Sequence, residues 1–111
     1  MSDTRTHTPA ELQIIAGQIK AQIGFWPLAE VGARNYQGGN FRLIGMDFPM
    51  PGFAFIAKPR HRLVNVYVML TPSDVYNIVV KSTSTGATLV EYEGVYNDAL
   101  ASLIRNLPTT V

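Results

Sequence analysis

The stretch Leu63-Val64-Asn65-Val66-Tyr67-Val68-Met69-Leu70, followed by Thr71-Pro72-Ser73-Asp74 and then Val75-Tyr76-Asn77-Ile78-Val79-Val80-Lys81, decides the fold class. Both outer runs are rich in β-branched and aromatic residues, and turn residues separate them. Parallel strands need a crossover of about a dozen residues, so a connection this short makes the pair antiparallel. Val64, Val66, Val68 and Leu70 alternate onto one face, which Tyr76, Ile78 and Val80, then Val90 and Tyr92, continue across the sheet. That face is the predicted core.

Outward from this hairpin the pattern stays β. Ser82-Thr83-Ser84-Thr85-Gly86 leads into a strand over Thr88 to Glu93, while upstream lie strands over Phe53 to Ala57 and Phe41 to Phe48, with Pro49-Met50-Pro51-Gly52 as their turn. The result is an antiparallel meander of about four to five strands. Before it, Thr8-Pro9-Ala10-Glu11 offers an N-cap hydroxyl, a proline at the first helical position and a glutamate at the third. Leu12, Ile15, Ala16, Ile19 and Ile23 then fall on one helical face, and Gly24 is a C-cap, which predicts a helix from Thr8 to Ile23. After it, Leu100, Leu103, Ile104 and Leu107 recur at helical spacing until Pro108. In residues 25–39 the signals conflict: Trp26-Pro27 breaks a helix, Leu28-Ala29-Glu30-Val31 fits strand or turn, and the segment stays unassigned. The fold class is therefore α+β: a disordered terminus over 1–7, then a single domain over 8–111 with a helix at each end of the sheet.

Composition bounds the function. With 111 residues and 47% hydrophobic content the chain fills one core, and 15% charged residues, below the roughly 25% of an average soluble protein, leave a surface poor in charge. A formal net charge of +1 provides no global field for nucleic acid or anionic lipid. The absence of cysteine excludes disulfides, thiolate metal sites and cysteine nucleophiles, and fits a reducing compartment. No apolar run approaches the roughly 20 residues of a membrane helix, and the polar start from Met1 to His7 lacks the apolar run of a signal peptide. These features predict a cytoplasmic protein without a membrane partner.

Chemistry-bearing residues are sparse. His7, His61, Asp47, Asp74, Glu91, Glu93 and Asp98 form no known motif, and neither a catalytic residue, a metal site nor a cofactor is expected. Glu91 and Glu93 project from one strand face, an arrangement that an acid/base pair and a solvated strand share. His61 lies between Arg60 and Arg62, whose charges oppose its protonation and repel a metal cation. One segment suggests a partner class: Lys58-Pro59-Arg60-His61-Arg62 places three permanent cations in one loop, with Arg34 and Arg42 as further cations and Tyr36 and Phe41 as stacking surfaces for bases. An ordinary solvated loop reads the same way. Finally, the second sheet face carries Leu63, Tyr67, Met69, Val75, Val79 and Leu89 beside Asn65, Asn77, Lys81, Glu91 and Glu93, too apolar to be simply solvated. Tyr67, Met69, Val79 and Leu89 are thus expected to form a homo-oligomer interface.

Phe53-Ala54-Phe55, Lys58-Pro59-Arg60, Asn65 to Leu70, Asp74-Val75-Tyr76 and Gly94-Val95-Tyr96-Asn97-Asp98-Ala99-Leu100 together resemble a family of small uncharacterised bacteriophage proteins. Gly32-Ala33-Arg34-Asn35 resembles that family's upstream basic segment, and Gly-Val-Tyr-x-Asp-x-Leu before the final helix is the most specific element. The resemblance implies a phage or prophage gene acting in bacterial cytoplasm, and no functional residue follows from it. A helix followed by about five antiparallel strands is also similar to Sm-like RNA-binding proteins, an analogy of fold alone. The sequence is therefore read first as a non-enzymatic, self-associating accessory protein that contacts a host or phage macromolecule. A nucleic-acid-binding module using the basic loop comes second, and a small enzyme third.

Overall fold

The computed structural model describes residues 8–43, 46–58 and 62–107. Its first element is the helix α1, Pro9–Ile23, entered through the expected capping box. The Thr8 hydroxyl accepts from the Glu11 N–H at 3.2 Å, and the Glu11 carboxylate accepts from the Thr8 N–H at 2.8 Å. Two otherwise orphaned donors are thereby satisfied, a device worth about 1 kcal/mol to a helix. At the far end Gly24, with φ +93°, donates its N–H to the Lys20 carbonyl and turns the chain out of α1.

The turn leads into a second, six-residue helix, α2 (Phe25–Glu30), in the segment where sequence signals conflict. Pro27 does not break it, because it lies in the first turn, where its missing N–H would have no helical partner. Five strands follow: β1 (Arg34–Phe41), β2 (Met50–Ala57), β3 (Val64–Leu70), β4 (Tyr76–Ser82) and β5 (Thr88–Val95). They pair antiparallel in the order β1-β2-β3-β4-β5, the expected meander. A 3-10 turn over Asn97–Ala99 and the helix α3 (Leu100–Arg105) close the fold. The α+β class with an antiparallel sheet and a helix at each end of the sequence is as read from the sequence. No helix among the described residues is long and apolar enough to cross a membrane.

Two boundaries differ from expectation. The strand expected over Phe41 to Phe48 lies earlier, at Arg34–Phe41, and Arg42, Leu43 and residues 46–49 form a non-strand connection. Met50, Pro51 and Gly52, expected in a turn, belong to β2 and pair with Phe41, Asn40 and Gly39. Proline is tolerated there because pairing with β3 starts only at Gly52, so at Pro51 the strand has a neighbour on one side. The terminus expected to be disordered, 1–7, lies outside the described residues.

One face of the sheet carries the core. Phe53, Phe55, Ala57, Val64, Val66, Val68, Tyr76, Ile78 and Val80 pack against Ala16, Ile19 and Ile23 of α1, Leu28 of α2, and Leu100, Ile104 and Leu107 at the C-terminus. Leu70, Val90 and Tyr92 join at the margin, so the predicted core face stands as read. All three helices use this face, with α1 lying over β1 and β2 and α3 beside α1 and α2. The contact of α1 with β1 is close: a Cβ built at Gly38 would stand 2.6 Å from the Ala16 Cβ. Glycine is what lets the helix settle onto the edge of the sheet.

Candidate interaction surface

The basic segment divides on inspection. Arg34 pairs with Ile56, Lys58 follows Ala57 at the end of β2, and Arg62 leads into β3, so register brings these three to one end of the sheet. The Lys58 N–H donates to the Val31 carbonyl at 2.8 Å, which ties this end to the segment leaving α2. Arg60 lies outside the described residues, as do Pro59 and His61. Phe41 and Arg42 sit at the opposite end of β1, roughly 23 Å from Arg34 at the usual rise per strand residue. Arg42 turns back there, its Nε donating to the Met46 carbonyl at 3.4 Å. Tyr36 stacks on Phe53 with ring centres 5.5 Å apart, on the helix side, and the Lys20 ammonium lies 4.3 Å from its ring centre. Phe41 instead packs edge-on to Tyr67, a residue of the second face. The expected group of cations and stacking rings is thus split between two ends and two faces of the sheet.

The second face is partly covered from within the chain. Met69 is 1% exposed and Ala54 is buried, while Tyr67 and Val79 are half-buried. The β1–β2 connection accounts for part of this: Leu43 and Met46 stand over the face and frame a cleft of about 180 Å³. Met69, Val79 and Asn77 line it from β3 and β4, and Lys81, Glu91 and Glu93 bring charge to it. Glu91 and Glu93 do share this face, as their spacing predicts.

Leu89 does not belong to the second face. The register shifts between Val80 and Lys81, which pair with Val90 and Thr88, so Leu89 is the extra residue of a bulge and packs against the core cluster. A strict two-residue period cannot foresee an inserted residue. Of the expected interface, Tyr67 and Val79 retain exposed surface, Met69 is covered and Leu89 points to the core side.

A surface that periodicity does not reveal lies at the C-terminal end of α1. Phe25 is 72% exposed, Trp26 68% and Tyr96 68%, the three most exposed large hydrophobic residues described. In α2, Pro27 and Leu28 take the buried side, and the rings of Phe25 and Trp26 meet edge to face on the solvent side with centres 5.1 Å apart. Tyr96 follows Val95, the cross-strand partner of Tyr76, and the Tyr76 hydroxyl donates to the Gln22 side-chain amide oxygen Oε1 at 2.6 Å. Phe25 comes just after Gln22 in the chain. The three aromatic residues therefore leave the fold around one hydrogen bond between α1 and β4. Burial pushes the Tyr76 hydroxyl above the usual phenol range, the Gln22 bond draws it down and the Asp74 charge raises it further. It stays a neutral donor at this junction through the physiological range.

Comparison with protein-family models, with curated proteins and with solved structures returns no match to this chain.

Proposed function

We propose that this chain is a non-enzymatic interaction protein, an accessory factor of the small phage or prophage kind, and that it self-associates through its aromatic end. The observation that carries the reading is the exposure of Phe25, Trp26 and Tyr96 around the Gln22–Tyr76 hydrogen bond. An aromatic side chain buries about 150–250 Å², so three that are roughly two-thirds exposed put on the order of 400 Å² of mainly apolar surface into water. That is about half of the 800 Å² or so that each partner contributes to a standard interface. Tryptophan and tyrosine are also the residue types that dominate binding energy at such centres. A second copy supplies the same rings under two-fold symmetry, and the chain's low charge content limits the repulsion between copies.

Trp26 is the sole tryptophan, which makes it a reporter of its own burial. As protein concentration rises through the micromolar range, its emission is expected to shift to the blue while the sedimentation coefficient increases. Phe25→Ala with Tyr96→Ala leaves the reporter in place and is expected to abolish both changes. A chain that stays monomeric up to about 100 μM, a bound corresponding to about −5.5 kcal/mol of association, overturns the proposal.

A second reading draws support from Arg34, Lys58 and Arg62 sharing one end of the sheet. If these three contact the phosphates of a single strand, the log–log dependence of affinity on salt has a slope near −2, at about −0.7 per phosphate neutralised. Fluorescence anisotropy with labelled single-stranded RNA and DNA measures it. Phe41→Ala and Arg42→Ala are expected to leave affinity and slope unchanged, since both residues lie at the other end of β1. A loss of binding in either variant refutes the assignment to this end.

A further inference from the structure

Among the described residues the meander leaves two edges, β1 and β5, and they are finished differently. Along β5 the register breaks twice, between Tyr76 and Ile78 and between Val80 and Lys81, leaving regular pairing only over Val90, Glu91 and Tyr92. Gly94, at φ +67°, turns its N–H inward to the Asn77 side chain at 3.2 Å, and Glu91 and Glu93 are exposed. Bulges and charges are the means by which sheet edges are closed to further pairing. By contrast, β1 has one break, between Arg34 and Gln37, and then pairs without interruption from Gln37 to Phe41. That run, Gln37-Gly38-Gly39-Asn40-Phe41, contains neither a charge nor a proline.

Pro51 fixes the direction of its backbone groups. Having no N–H to exchange, Pro51 forms with Asn40 a pair of the non-hydrogen-bonded kind, so Gln37, Gly39 and Phe41 direct their groups at β2. The N–H and C=O groups of Gly38 and Asn40 then point out of the sheet, and both residues are exposed. Arg34 and Arg42 flank the run, and Lys20 reaches over Tyr36 from α1. No aspartate or glutamate occurs between Val31 and Met46.

A second copy of β1 meets like charge in two of the three antiparallel registers centred on Gly38, Gly39 or Asn40. Antiparallel pairing centred on Gly38 sets Arg34 opposite Arg42, and centring on Gly39 sets Arg42 opposite Tyr36, which already carries Lys20. We infer that the free edge of β1 is a docking site for an extended, acidic segment of a partner protein, which adds as a sixth strand by pairing its backbone with Gly38 and Asn40. Main-chain hydrogen bonds supply the affinity in such an addition, and the flanking cations select an acidic sequence. The site is separate from the aromatic end and does not depend on self-association there.

The full chain, labelled with nitrogen-15, is titrated with a short synthetic peptide of alternating glutamate and valine and followed by its amide resonances. The largest shifts are expected at Gly38 and Asn40, with binding weakened at least tenfold by N-methylation of the peptide backbone and abolished by exchanging its glutamates for lysines. Lys20→Glu combined with Arg34→Glu, both exposed, is expected to reverse that preference. Shifts centred on β5 or on the second-face cleft, equal binding of acidic and basic peptides, or no shift at about 1 mM peptide overturn the inference. So does protection of the Gly38 and Asn40 amides from exchange in the free protein, which would mean that another copy already fills the edge.

Discussion

Gly52→Ala is expected to destabilise the fold by about 3 kcal/mol, the upper end of the usual cost of overpacking a close-packed site. A Cβ at this position would stand 2.4 Å from the Val68 carbonyl oxygen and 3.1 Å from the Met69 Cα. Both atoms are main chain of β3, which is paired on one side to β2 and on the other to β4, so neither yields without loosening a ladder. Gly39, the cross-strand partner of Gly52, provides the control: nothing lies within 4 Å of its Cβ position. Gly39→Ala is expected within about 0.5 kcal/mol of the parent, because this half-buried edge position has no neighbour where the methyl group would go. Urea denaturation of the three proteins decides the matter. Equal midpoints for Gly52→Ala and Gly39→Ala would show that the β2–β3 spacing adapts and that Gly52 is not needed for close approach.

The same neighbourhood shows what the sequence could disclose about the fold. Val64 to Leu70 and Tyr76 to Val80 are legible because alternation, β-branching and a short turn all point one way, and the capping box of α1 is legible because three residue types coincide at fixed spacing. β1 is not legible. Asn35, Gln37, Gly38, Gly39 and Asn40 have low strand propensity, and the strand exists because β2 supplies its hydrogen bonds and α1 settles onto Gly38. Pro49-Met50-Pro51-Gly52 has the composition of a turn, yet its last three residues run on as strand where β2 extends past β3. Whether proline ends a strand depends on which side its nitrogen faces, and that is a property of the neighbours.

Site residues divide along the same line. Arg34, Lys58 and Arg62 come together because strand ends follow from the strand order, which the hairpins make readable. Tyr36 and Phe41 part company because they stand five residues apart on β1, an odd spacing that puts them on opposite faces, one ring with Phe53 and the other with Tyr67. Leu89, by contrast, is displaced by the bulge between Val80 and Lys81. The second face looks orphaned in sequence, but the β1–β2 connection returns over it and buries Met69. Phe25, Trp26 and Tyr96 carry no pattern that separates an exposed ring from a core one. Their exposure follows from where α2 and the turn after β5 leave the sheet.

Ile104→Ala is expected to lower stability by about 2–5 kcal/mol, the range for removing a buried aliphatic side chain and leaving a cavity. α3 has only six residues, far fewer than an isolated helix needs in water, so its structure rests on what it buries. Leu100 and Ile104 are both 0% exposed and enter the cluster that Ile19, Ile23 and Leu28 form from α1 and α2. Polar contacts do little to hold it: the Arg105–Glu30 ion pair, at 3.2 Å, is about half exposed on both sides and contributes at most about 1 kcal/mol. Arg105→Ala is accordingly expected to leave the denaturation midpoint nearly unchanged, while Ile104→Ala lowers it with the slope preserved. A preserved slope means that the helix unfolds with the rest of the domain; a reduced slope would mean that α3 detaches first and that the sheet with α1 is stable without it. If Arg105→Ala proved the costlier of the two, the docking of α3 would be electrostatic and the single core assigned to this face would be wrong.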